Sequence, residues 1–142
     1  MSNDSQAKLT VDGFDGAGAV TNIAFPISAI CEAFHKQLRS EWAKRARKLT
    51  LTQPVTITGN FVRVDQGNRF LRYMLLSLVG NPAVEVEGHF ALGDRTLGDF
   101  HLRRTHMFRG FGFFGGNSKG MTRFCAENAA SDIVKMIVSK LR

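Results

Sequence analysis

The sequence has little cysteine, the residue whose disulfides stabilise many small secreted domains, and it lacks the long apolar run of a membrane-spanning helix. Its 142 residues include only 2 cysteines, 3 prolines, 1 tryptophan and 1 tyrosine. Cys31 and Cys125 are far apart and belong to no C-x-x-C or Cys/His cluster, so we expect buried thiols or one disulfide between two helices. No apolar run approaches the roughly 18 residues of a membrane helix, and the sequence therefore predicts no transmembrane span.

The composition is that of one globular domain. Hydrophobic residues make up 44% and charged residues 22% of the chain, which excludes wholesale disorder and fibrous repeats. We therefore predict a single domain over residues 1–142, with a flexible lead at 1–6. The formal net charge of +7 favours acidic partners such as nucleic acid, an anionic membrane surface or an acidic protein, and it does not choose among them.

Apolar periodicity predicts an α+β fold. Alternation predicts strands at 7–11, 54–64, 84–92 and 96–108. The apolar segment at 69–79 predicts a central strand, with an apolar helix of the same length as the alternative. Apolar residues at helical spacing predict one helix from Pro26 to Leu49 and another from Cys125 to Leu141. Short turns favour consecutive antiparallel pairing. The fold class is then a two-layer sandwich in the order β-α-β-β-β-β-α, with a mainly antiparallel sheet of about four to five strands and two helices on one face.

Two local signals refine this expectation. The glycine-rich segment 12–18 matches no phosphate-binding motif, and we interpret it as a flexible connection. The apolar phase of the 54–64 strand shifts near Gly59-Asn60, which indicates a bulge or a strand covered on both sides.

Residues typical of enzymes do not form a recognisable pattern. The histidines lack metal-binding spacing, the serines lack a nucleophile-elbow setting, and Glu85 with Glu87 fits a solvated strand face. We therefore predict a protein that is not an enzyme, with no catalytic residues, no metal and no cofactor.

The segment 109–120 is rich in phenylalanine and glycine, and it is the main candidate contact region. Arg109-Gly110-Phe111-Gly112-Phe113 matches the opening of an RNA-recognition signature, but only one helix follows, and Thr10 stands where an aromatic residue belongs in the first strand. The candidate binding residues here are Arg109, Phe111, Phe113, Phe114 and Lys119. They fit caps of the core edge, a protein or membrane contact, or base stacking.

The carboxyl-terminal end of the first helix is basic, and its candidate binding residues are Lys44, Arg45, Arg47 and Lys48. Cations are favourable at this end of a helix. The same residues fit a solvated helix end or an anion-binding patch.

Several segments between residues 50 and 142 resemble a bacterial family, domain of unknown function 4410, which is common in predicted envelope lipoproteins. The resemblance comprises Gly59-Asn60-Phe61, the run from Asp65 to Arg69 with Arg72, Val84-Glu85-Val86, Gly93-Asp94, Leu97 to Phe100, a glycine-rich stretch and the Ala126–Leu141 helix. It implies an envelope protein with no known catalytic residues. It places the chain in the periplasm or at the outer membrane if a leader was removed, and otherwise the chain is expected in the cytoplasm.

These observations give two hypotheses about function. The first is a non-enzymatic interaction or assembly module of bacterial envelope type, which binds a protein partner or itself through its sheet edge and the 109–120 segment. The alternative is a module that binds single-stranded RNA through the basic helix and the same phenylalanines.

Overall fold

A computed structural model describes residues 8–49, 51, 53–65, 83–105 and 118–141. Five strands and two helices lie within these ranges. The strands are β1 Leu9–Gly13, β2 Val20–Asn22, β3 Val55–Asp65, β4 Ala83–Leu92 and β5 Arg95–Thr105. The helices are α1 Ser28–Arg45, which continues into a 3-10 turn at Ala46–Lys48, and α2 Ser118–Leu141.

The strands form one mixed sheet in the order β1-β3-β4-β5. β1 and β2 both pair in parallel with β3, β1 at its first half and β2 at its last three residues. The β3–β4 and β4–β5 pairs are antiparallel. The register of β3 against β4 shifts between Phe61 and Arg63, so the bulge predicted near Gly59-Asn60 lies slightly later in the strand.

The predicted order of pairing is wrong in one respect. β3 and β4 pair directly along most of their length, whereas consecutive pairing requires the predicted strand at 69–79 between them. That segment lies outside the described residues. The short strand β2 was also absent from the prediction, because three exposed residues carry too little alternation to be recognised.

The helices pack on each other and on one face of the sheet. α1 buries Ile30, Phe34, Leu38 and Trp42, which repeat at four-residue spacing. α2 buries three alanines, whose small side chains let neighbouring elements approach closely; they are Ala126, Ala129 and Ala130. The helices run in the same direction, since Gln37 of α1 donates to the Ser131 hydroxyl (3.1 Å) and Glu41 lies near Lys135 one turn later.

Phe14 is the central aromatic residue of the core and is 0% exposed. It follows β1 with a positive φ of 57°, and its backbone N–H donates to the Gly59 carbonyl (3.0 Å). Its ring packs on Phe34 with centroids 4.7 Å apart. The segment 12–18, interpreted from sequence as a flexible connection, therefore contributes a core residue.

The predicted fold class is confirmed: an open two-layer α+β domain with two helices and a five-stranded sheet. Both cysteines are buried and free, so of the two expectations the buried thiols are correct. Burial raises the pKa of the Cys125 thiol to about 11. Within the described residues, neither helix is long and apolar enough to cross a membrane.

Candidate functional site

One face of the sheet packs on the helices, and none of the other described elements covers the opposite face, which we call the open face. Val55, Ile57 and Phe61 of β3 point into the core. Since strand residues alternate between faces, the residues between them point to the open side. The same alternation in β4 and β5 places a set of polar side chains on the open face, where the three strands lie side by side.

Six of these side chains surround a shallow groove of about 350 Å³, which we call the sheet groove. Two come from each strand, and they are Thr58, Asn60, Glu87, His89, Asp99 and His101. Gly59, Gly88 and Phe100 complete the lining. Because these three residues direct their side-chain positions toward the core, they contribute mainly backbone to the floor of the groove.

Strand register aligns the groove side chains in two rows. Thr58, His89 and Asp99 form one row across β3, β4 and β5. Asn60, Glu87 and His101 form the next row. Directly opposed side chains in antiparallel strands lie close enough to interact, so each row places one carboxylate next to one imidazole.

A third row beyond the groove is centred on Glu85. This residue lies between Arg63 of β3 and Arg103 of β5 in the register, and its Oε2 contacts His101 Nε2. Glu85 is therefore surrounded by basic groups. The carboxylates that line the groove itself, Glu87 and Asp99, have no lysine or arginine among the lining residues.

The side chains of the groove can form hydrogen bonds and ion pairs with a binding partner. Its carboxylates accept hydrogen bonds, and its hydroxyl, amide and imidazole groups both donate and accept. Within the described ranges, no group of three or more histidine, cysteine, aspartate or glutamate residues is placed to hold a metal ion. The arrangement is suited to binding a cationic or hydrogen-bonding surface.

The basic end of α1 lies on the opposite side of the molecule. Arg45 Nε donates to Glu41 Oε2 (2.9 Å), and Lys44 Nζ lies 3.8 Å from Glu41 Oε1. The hydrogen bond from Arg45 and the nearby Lys44 hold the pKa of the Glu41 carboxyl below its ordinary value, although burial opposes this shift. Lys44 and Arg45 thus share a buried carboxylate, a partner that the pattern of basic residues does not indicate.

The other predicted site residues are only partly described. Arg109, Phe111, Phe113 and Phe114 lie outside the described residues, so their proposed contacts stay predictions. Lys119 lies in the first turn of α2, and the predicted 109–120 loop is wrong at its last three residues, which are helical. Arg47 and Lys48 lie in the 3-10 turn, where Arg47 is exposed.

Comparison with solved structures shows that the fold occurs in bacterial proteins. A Xanthomonas campestris protein of the DUF330 family aligns with a TM-score of 0.56 at 7% identity, covering 94% of this chain and 85% of that chain. A minor lipoprotein from Acinetobacter baumannii aligns with a TM-score of 0.50 at 10% identity, covering 94% of both chains. The PelC dodecamer from Paraburkholderia phytofirmans aligns at 0.44 and 11% identity, covering 88% and 87%. No family model and no curated protein matches the chain.

The first two alignments show a shared fold. This fold is found in a bacterial lipoprotein and in a member of a family of unknown function. At these identities the alignments do not transfer any residue's role to this chain. The resemblance to family 4410 stays a prediction.

Proposed function

We propose that this chain is a non-enzymatic module of the bacterial envelope that associates with protein through the open face of its sheet. The observation that carries the proposal is the sheet groove. Two helices cover one side of the sheet, while the other side presents aligned polar and charged side chains across three strands.

The chemistry of the open face supports binding to a protein surface. The rims of protein interfaces are polar, and interfaces depend on hydrogen bonds and complementary charge. Glu87, His89 and Asp99 are exposed, so they meet a partner without rearrangement of the core. The envelope location is supported by the shared fold of the Acinetobacter minor lipoprotein and by the resemblance to a family common in envelope lipoproteins.

Site-specific photo-crosslinking in the native host tests this proposal. A photoreactive amino acid replaces Asn60, which is exposed at the groove, and in a matched control it replaces Ala17, which is exposed in the loop after β1. We expect a protein adduct from position 60 and none from position 17, in the envelope fraction. Absence of adducts at position 60, or equal adducts at both positions, contradicts the proposal.

A second arm of the test addresses nucleic acid. Fluorescence anisotropy with single-stranded RNA is measured across a salt series, because phosphate contacts make affinity fall steeply with salt. We expect no binding that depends on Lys44 and Arg45, since Glu41 already engages both side chains. Tight, salt-sensitive RNA binding that is lost on Lys44→Glu favours the RNA-binding alternative and counts against protein association.

A further inference from the structure

The sheet groove and the outward side of α1 carry charges of opposite sign. The sheet groove is acidic, with Glu87 and Asp99 in its lining. Asp12 of β1 is exposed and pairs in register with Thr58, so it extends the same acidic surface by one strand. We call Asp12, Glu87, Asp99 and the sheet groove the acidic face.

The outward side of α1 is basic from Lys36 onward. Lys36, Arg39 and Arg47 are exposed, and within the described part of the chain no carboxylate forms an ion pair with them. Ser40 and Ala43 are exposed between these cations. We call this row the basic stripe, and its members are Lys36, Arg39, Ser40, Ala43 and Arg47.

The spacing of the basic stripe places it along one side of the helix. Its members recur at three- and four-residue intervals, which keeps them on one helical surface. Ser40 and Ala43 are small, so the helix backbone can approach a flat surface closely while the longer cations reach forward. A shallow acidic groove is complementary to such a stripe in both shape and charge.

The dimensions of the two surfaces also match. α1 has 18 residues, which at about 1.5 Å each gives a length of roughly 27 Å. β3 and β5 have 11 residues each, which at about 3.3 Å each gives roughly 36 Å. The helix therefore fits along the open face without overhanging it.

We propose that the acidic face of one copy of this chain receives the basic stripe of a second copy. The contact joins two different surfaces, so a pair of copies still has one free acidic face and one free basic stripe, and the assembly grows head to tail into a ring or an open chain. This inference rests on the proposed function and names its partner as a second copy. The pairs formed would join Lys36 and Arg39 of one copy to Glu87 and Asp99 of the next.

Charge-swap variants test the proposal by light scattering after size exclusion. We expect the wild type to exceed its monomer mass of 15.7 kDa at low salt. We expect it to return to monomer near 1 M salt, where charges are screened beyond about 3 Å. The double variants Glu87→Lys/Asp99→Lys and Lys36→Glu/Arg39→Glu each oppose like charges, and each should weaken self-association at least about tenfold.

Combining the swaps gives the decisive comparison. The quadruple variant carries both double swaps and restores opposite charges across the contact, so it should assemble again. The matched control Asp94→Lys/Arg123→Glu changes the same kinds of charge at exposed positions outside both surfaces and should assemble like the wild type. Circular dichroism of each variant confirms that the fold is retained.

Three results would overturn the proposal: a wild type that stays monomeric at low salt and high concentration, double swaps that assemble normally, or a quadruple variant that stays monomeric. The crosslinking experiment separates this proposal from the proposed function. An adduct with a different protein at position 60, from a monomeric chain, removes the second copy as partner and leaves protein association standing.

Discussion

At the scale of single residues, a row of glycines makes room for the aromatic core. Gly13, Gly59 and Gly88 are register partners on three neighbouring strands. A Cβ on Gly59 would lie 2.7 Å from Phe14 Cζ and 2.9 Å from the Gly88 Cα, and it would overlap the Glu87 carbonyl oxygen. The absent side chains let the Phe14 ring lie directly on the sheet.

We therefore expect Gly59→Ala to destabilise the protein. The added methyl group contacts backbone that cannot move without disturbing the sheet, and such overpacking costs about 2 kcal/mol or more in the free energy of unfolding. Gly98→Ala is the matched control, since its Cβ would lie 3.3 Å from the end of the Phe90 ring, and its effect should stay within about 1 kcal/mol. Urea denaturation measures both. Equal losses for the two variants would contradict this account of the glycine row.

Neither the burial of Phe14 nor the role of Gly59 could be predicted from the sequence. Phe14 follows Asp12-Gly13 in a glycine-rich stretch. Glycines in such a stretch indicate a loop, but they do not indicate whether a residue of that loop packs in the core. The role of Gly59 depends on its alignment with Gly88 in a neighbouring strand. Sequence periodicity describes one element at a time and contains no information about register.

At the scale of elements, the periodicity of apolar residues correctly predicted the long helices and strands that bury one face. The strand predicted at 54–64 is β3 Val55–Asp65, and the helix predicted from Pro26 is α1 Ser28–Arg45 followed by a 3-10 turn. The pairing of β3 with β4 was missed because short turns favour neighbours in the chain, whereas the observed pairing spans the segment 66–82. α2 begins at Ser118, before its first predicted apolar residue, because polar and glycine residues in its first turns weaken the helical pattern.

Glu41 fixes the carboxyl-terminal end of α1 through its contacts with Arg45 and Lys44. We expect Glu41→Gln to lower the free energy of unfolding by about 1 kcal/mol near pH 7, since a charged hydrogen bond within the helix is lost and two cations keep no partner. The pKa of Glu41 is lower in the folded protein than its ordinary value of 4.5. Its contribution is therefore complete above that value and is lost as the pH falls through the lower, folded-state pKa.

The measurement is urea denaturation of wild type and variant between pH 7 and pH 3. The difference in unfolding free energy should shrink as the pH falls below about 4.5, the ordinary value for the carboxyl group. The exposed Glu32 of the same helix, replaced by glutamine, serves as control and should show little difference at any pH. A Glu41→Gln difference that does not change with pH would mean that packing, not charge, explains its effect.

At the scale of the whole molecule, the candidate site exists only because three strands align. Alternation in the sequence predicted Glu85 and Glu87 on a solvated strand face, and His101 on a neighbouring strand. Their assembly into rows with Asn60 and Asp99 follows from the register of β3 against β4 and of β4 against β5, which no local pattern encodes. The contact residues predicted from sequence are instead mostly phenylalanine, lysine and arginine. Clusters of aromatic or basic residues can be recognised in the sequence alone, whereas side chains brought together by strand pairing cannot.

Hydrogen exchange tests this description of the sheet as a whole. β4 pairs on both sides with antiparallel strands, so its amides should be protected throughout.

Among the described strands β5 pairs only with β4, and in an antiparallel ladder alternate residues direct their N–H groups to the partner. We therefore expect alternating protection along β5, measured by NMR in high salt, where the chain should be monomeric. The same alternation should persist at low salt, because head-to-tail stacking covers the acidic face and does not involve the edge of β5. Uniform protection of β5 at low salt alone would require copies to pair edge to edge, and would replace face-to-helix stacking as the mode of assembly.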